Sequence, residues 1–92
     1  MMGFSRESAV ERAKRDLAVR VGVEESSITD DVAERDFPDM ALGAAEAGEM
    51  AAQMISSGWQ INLKVDGKPY EYRADKYQLR LVDFKGRNHV IK

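Results

Sequence analysis

The sequence predicts an α+β fold in which an N-terminal amphipathic helix packs on an antiparallel sheet of three to four strands. Three observations predict it. Val10, Ala13, Leu17 and Val21 recur at helical spacing near the N-terminus. Apolar and polar residues alternate from Trp59 to Phe84 as in a β-meander. The register set by one Asp-Gly turn also brings the apolar sets of successive strands onto a single side.

The helix is expected over residues 6 to 21. Its apolar stripe follows spacings of three, four and four, and Arg12, Lys14, Arg15 and Asp16 fall mostly outside it. Ser5 suits the N-cap, Glu7 the positive end and Arg20 the negative end. Gly22 followed by Val23 fits a left-handed C-terminal cap.

Ile28 to Phe37 carries Ile28 and Val32 among Asp30, Asp31, Glu34 and Asp36, and reads as an edge strand. Pro38 cannot donate to a ladder and holds Phe37 extended, so the strand ends there. Between Ala41 and Ser57, Gly43 and Gly48 interrupt an alanine-rich run, leaving Glu49 to Ile55 as a short helix or strand.

Trp59, Ile61, Leu63 and Val65 alternate with Gln60, Asn62 and Lys64 before Asp66-Gly67, the signature of a two-residue hairpin turn. That turn pairs Val65 with Lys68, Leu63 with Tyr70, Ile61 with Tyr72 and Trp59 with Ala74. A second tight turn at Asp75-Lys76 would pair Ala74 with Tyr77, Tyr72 with Leu79, Tyr70 with Leu81 and Lys68 with Asp83. Lys85-Gly86 would then turn Asn88 to Ile91 into a short last strand. One face thus carries Trp59, Ile61, Leu63, Tyr70, Tyr72, Leu79 and Leu81, for which the helix stripe is the available cover. The opposite face, with Gln60, Asn62, Lys64, Glu71, Arg73, Gln78 and Arg80, reads as solvated surface.

Length and composition bound the functional classes. Ninety-two residues, 43% hydrophobic and 33% charged, fit one small globular domain spanning 1–92. The chain has no cysteine, which excludes disulfides and thiol chemistry. No run of about 18 apolar residues exists, and charge enters at Arg6 and Glu7, so a cytoplasmic protein without a membrane partner is expected. Residues 1–46 hold 11 acids and 6 bases, net −5, and residues 47–92 hold 5 and 8, net +3. The bases are scattered singly rather than clustered, against a nucleic-acid partner.

No constellation of residues points to catalysis, a cofactor or a metal. His89 is the only histidine and has no nucleophilic partner in the pattern. Asp30, Asp31, Glu34, Asp36 and Asp39 lack the spacing and central glycine of a calcium loop, and charge on an edge strand already serves to block strand pairing between molecules. Trp59, Tyr70, Tyr72 and Tyr77 fall on the leucine face and are expected in the core rather than as a base-stacking platform. Gly43 and Gly48 precede neither Lys-Ser nor Lys-Thr, so no phosphate loop is present.

The segment Phe37-Pro38-Asp39-Met40-Ala41-Leu42-Gly43 is the least explained by folding. With Val21-Gly22-Val23, Gly58-Trp59-Gln60-Ile61 and Tyr70-Glu71-Tyr72 it resembles a family of short, uncharacterised prokaryotic proteins. These run helix, Leu-Gly-Val, strand, Trp-Pro-Asp-x-x-Leu-Gly, and a later Tyr-x-Tyr hairpin, and the likeness covers roughly residues 10 to 82. The chain departs from them at Ala44-Ala45 and Ala47-Gly48, where Cys-Pro and Pro-Gly are frequent. The resemblance implies one continuous domain and no particular activity.

The functional expectation is a non-enzymatic binding or inhibitory module that presents the 37–48 loop, with Phe37, Pro38, Asp39, Leu42 and Gly43 as the candidate partner-binding residues. The partner would be another protein or a second copy of the chain. One alternative is an oligomerisation protein using an apolar patch of Met50, Met54 and Ile55. Another is a cystatin-like peptidase inhibitor, although Gln53 and Gly58 stand one residue too far apart for its Gln-x-x-x-Gly hairpin.

Overall fold

The computed structural model describes residues 3–91. Helix α1 spans Arg6–Val21. Ser5 caps it: its hydroxyl accepts from the Ser8 amide at 3.1 Å, and the Ser8 hydroxyl accepts from the Ser5 amide at 2.9 Å. At the other end Gly22 takes φ 71°, and the amides of Gly22 and Val23 both donate to the Ala18 carbonyl. These bonds satisfy backbone groups that a helix end otherwise leaves without partners. The stripe is rotated slightly from its expected centre. Ala9, Ala13 and Leu17 are fully buried while Val10 and Val21 are half-buried, because alanine lets the helix backbone approach the sheet.

A single turn of 3-10 helix at Glu25–Ser27 leads into strand β1, Thr29–Phe37, followed by β2 (Ser56–Val65), β3 (Lys68–Ala74), β4 (Leu79–Phe84) and β5 (Arg87–Val90). The strands form one antiparallel sheet in the order β1-β2-β3-β4-β5. The fold is α+β as expected, with one strand more than the three to four anticipated. β1 lies at the edge, with Phe37 opposite Ser56 and Thr29 opposite Lys64.

The first hairpin has the expected register throughout, with Val65 opposite Lys68, Leu63 opposite Tyr70, Ile61 opposite Tyr72 and Trp59 opposite Ala74. Asp66 and Gly67 both have positive φ, the geometry of the primed turn that matches strand twist. The second hairpin differs. Ala74 pairs with Leu79 and Tyr72 with Leu81, a shift of two residues, because the loop is Asp75–Gln78 rather than Asp75-Lys76 alone. The buried Asp75 carboxylate accepts from the Tyr77 and Gln78 amides at 2.7 and 3.0 Å and so builds the longer turn. A two-residue shift preserves the side each residue faces, so Leu79 and Leu81 stay in the core. Tyr77 does not: it sits in the loop and is 78% exposed.

The main core lies between α1 and the sheet, built on Leu17, Ile61, Leu63, Tyr72, Leu79 and Leu81, all fully buried. Each contributes about 1.5–3 kcal/mol through burial of apolar surface. The Tyr72 hydroxyl donates to Asp16 of α1 at 2.7 Å, and Arg20 Nε donates to the same oxygen at 2.7 Å. Burial first, and then the neighbouring Asp16 carboxylate, push the Tyr72 phenol above its ordinary value of 10. No helix of the described residues is long and apolar enough to cross a membrane.

Candidate functional site: the strap from Pro38 to Glu49

The sheet face expected to be solvated is partly covered. After β1 the chain folds back across it as an irregular strap, and Phe37, Ala41, Leu42 and Ala44 are buried there at 1%, 1%, 0% and 0% exposure. They form a second apolar layer apart from the main core.

Pro38 ends β1 and Asp39 starts the turn. The Asp39 carboxylate oxygen Oδ1 accepts from the amides of Ala41 and Gly43, both at 2.9 Å, and the Leu42 amide donates to the Asp39 carbonyl. Leu42 and Gly43 then adopt φ 59° and 64° in succession, which turns the Leu42 side chain down onto the sheet. Position 43 favours glycine on two grounds. Its left-handed backbone disfavours a side chain, and a Cβ there would lie 2.9 Å from Arg73 Nη1. Aspartate, leucine and glycine at these spacings are therefore explained by folding. Of the candidate partner-binding residues, Phe37 and Leu42 are buried, Asp39 is half-buried, and Pro38 and Gly43 are exposed.

Side chains of the sheet fasten the strap by its carbonyl oxygens. Gln78 Nε2 donates to the Met40 carbonyl at 2.6 Å, Arg73 Nη1 to Leu42 at 2.9 Å, Arg80 Nη1 to Ala44 at 3.3 Å and Asn88 Nδ2 to Ala45 at 2.9 Å. An irregular segment on a sheet face has carbonyls that no ladder satisfies, and these four donors meet them. Arg73 also lies over the Phe37 ring, its guanidinium carbon 5.5 Å from the centroid, with Arg35 at the same distance.

Arg80 is the centre of the arrangement. Only 6% exposed, it bonds both oxygens of Glu49 at 2.5 and 2.7 Å and donates from Nε to Gln78 at 2.6 Å. A buried guanidinium needs such pairing to offset the cost of leaving water. The Arg80 bonds, helped by the Glu46 amide on Oε1, hold the Glu49 carboxyl at about 2, against a usual 4.5, and Glu49 in turn raises Arg80. Arg73, Gln78 and Arg80, expected on a solvated face, instead hold the strap. The available signal was the apolar trio Ala41, Leu42 and Ala44, which has no place on the helix side.

Glu49 to Ile55 forms neither helix nor strand. Glu49 is held by Arg80, and the Ala52 carbonyl accepts from the Met40 amide at 3.0 Å, so bonds to other parts of the chain replace a local repeat. Met50, Met54 and Ile55 are 94%, 64% and 74% exposed, with Met40 beside them at 39%. Gln53 to Gly58 makes no hairpin, since Gly58 is already inside β2. The acidic residues of β1 are dispersed in use: Asp30 pairs with Lys14 at 2.6 Å and Asp36 accepts from Ser57 at 2.8 Å. Among the described residues, no three carboxylate or imidazole groups converge as they would around a metal ion.

No curated protein and no solved structure matches the chain. A family model described as a domain of unknown function (DUF8738) matches residues 10–82, from the second turn of α1 through the strap to β4, and the chain belongs to that family.

Proposed function

We propose that the chain is a non-enzymatic binding module that engages another protein through the outer side of the strap and the segment after it. The supporting observation is the exposure of Met50, Met54 and Ile55 within six residues, on a segment held at Glu49 and Ala52 and continuing into β2. Monomeric proteins seldom leave contiguous large apolar groups in water without an interaction that uses them, and methionine adapts to irregular partner surfaces. The Phe37-Pro38-Asp39 and Leu42-Gly43 motif is the anchor in this reading, and the contact surface lies next to it. The non-enzymatic part is supported by His89, whose Nε2 lies 3.3 Å from the Phe84 carbonyl oxygen, with the two rings 6.0 Å apart and near perpendicular.

A photo-crosslinking residue at position 54, with one at exposed Asn62 as control, tests the reading in cells. The expected result is one reproducible protein adduct from position 54 that disappears when Met50 and Ile55 are changed to serine. Absence of any such adduct would refute it. An oligomerisation role is the second reading, supported by the same three side chains, and predicts adducts with the chain itself and a mass that rises with concentration in light scattering. Inhibition of cysteine or serine peptidases at micromolar protein would identify the module as an inhibitor.

A further inference from the structure

At the end of the sheet away from the strap, β3 and β4 pair from Ala74 opposite Leu79 to Glu71 opposite Val82 and then part. Continuing the same register would set Lys68 against Lys85 and Pro69 against Phe84. Like charges directly opposite disfavour pairing, and proline has no N–H for a ladder. The ladder between β4 and β5 is irregular between Leu81 and Phe84, and Asp83 takes φ 51°, unusual for a non-glycine residue within a strand.

The parted strands border an open cleft of about 720 Å³, within the range of small-molecule sites. Its apolar wall is Tyr70 and Phe84, ring centroids 6.1 Å apart. Lys68 Nζ lies 5.8 Å from the Tyr70 centroid, and Lys85 Nζ lies 5.5 Å from that of Phe84. Arg20 also stands over Phe84 but is bonded to Asp16, whereas neither lysine forms an ion pair among the described residues. Of the two acids in the lining, Glu71 is bonded to Arg73, and Asp83 has no basic partner among the described residues.

The geometry points to a binding site for a small planar anion that also carries a ring N–H or amino group. The flat part would pack on Tyr70 and Phe84, the anionic group would meet the Lys68 and Lys85 ammonium groups, and Asp83 would accept from the donor. This cleft is separate from the strap, so its test is independent of protein binding there. A phosphate and a carboxylate share the required chemistry, and two probes distinguish them: adenosine monophosphate and indole-3-acetate.

The full chain, labelled with nitrogen-15, is titrated with each probe and its amide shifts followed. Saturable shifts confined to the amides of the cleft lining, strongest at Lys68, Tyr70, Glu71 and residues 82–85 and weaker at Arg20, Val21 and Asn62, are expected with at least one probe, and the preferred probe identifies the anion. The double variant Lys68→Gln, Lys85→Gln should bind at least tenfold more weakly, whereas Lys64→Gln should not, and Asp83→Asn should reduce the preference for indole-3-acetate over its N-methyl analogue. Both lysines are exposed, and thermal melting of each variant checks that the fold is retained. No saturable shift with either probe at roughly 5 mM, where even millimolar binding would register, or equal binding by the double variant, would overturn the assignment.

Discussion

Replacing Gly43 with alanine separates the two demands that the strap makes at that position. The residue has φ 64°, and a left-handed alanine costs about 1–2 kcal/mol. The added Cβ would also lie 2.9 Å from Arg73 Nη1, which donates to the Leu42 carbonyl. Moving that guanidinium sacrifices a hydrogen bond worth about 1 kcal/mol. The sum, about 2–3 kcal/mol, lowers the melting temperature by roughly 10–20 °C for a domain of this size. Gly48 is the internal control: its φ is 81°, nothing lies within 4 Å of its Cβ position, and alanine there bears the backbone cost alone. Thermal and urea unfolding followed by circular dichroism would give both values. Gly43→Ala should also cost less by about 1 kcal/mol in an Arg73→Ala background, since the contact is then gone. A Gly43→Ala protein as stable as Gly48→Ala, or strict additivity with Arg73→Ala, would show that the Arg73 contact places no demand on position 43.

Leu42→Ala should cost about 2–5 kcal/mol, as for a buried core leucine, although it lies in an irregular segment. Tyr77→Ala should stay within about 0.5 kcal/mol of wild type, because the residue belongs to the exposed loop and not to the sheet; a large loss would restore the tight second turn. Glu49 has its carboxyl lowered from 4.5 to about 2, so its contribution is present above pH 4.5 and is lost as pH falls towards 2. The stability gap between wild type and Glu49→Gln should therefore be wide at pH 6 and narrow near pH 2.5, measured by urea unfolding at each pH. Tyr72 is raised, so its contribution is present below pH 10 and is lost as pH rises beyond it. Tyr72→Phe should flatten that alkaline limb while costing about 1 kcal/mol at neutral pH through the bond to Asp16.

Where local chemistry fixed geometry, the sequence was legible. Ser5 and Gly22 marked the helix ends, and Asp66-Gly67 fixed every pair of the first hairpin, because a two-residue turn leaves the register no freedom. Alternation alone could not fix the second hairpin. A shift of two residues leaves each side chain on its own face, and only the Asp75 carboxylate, through its bonds to Tyr77 and Gln78, selects the longer loop. The strap was illegible for a different reason. Its fastenings run from Gln78, Arg73, Arg80 and Asn88 to carbonyl oxygens more than thirty residues away in sequence, and bonds of that kind leave no period. Arg80, in an alternating strand, looked like one more solvated cation until Glu49 and Ala44 were brought to it. In the Pro-Asp-to-Gly segment the structure gives three of the residues a role in folding: Asp39 caps the turn, Leu42 fills the second layer and Gly43 clears Arg73.

Amide hydrogen exchange across the strap tests most directly that this segment is a structural second layer. The amides of Ala41, Leu42, Gly43 and Ala44 donate to Asp39 Oδ1, the Asp39 carbonyl, Asp39 Oδ1 again and the Ala41 carbonyl. They should exchange with protection approaching that of the Ile61 and Tyr72 amides in the central strands, and Asp39→Ala should expose them while the meander stays protected. Exchange of these four amides at the rate of an unstructured loop in the wild-type protein would contradict it.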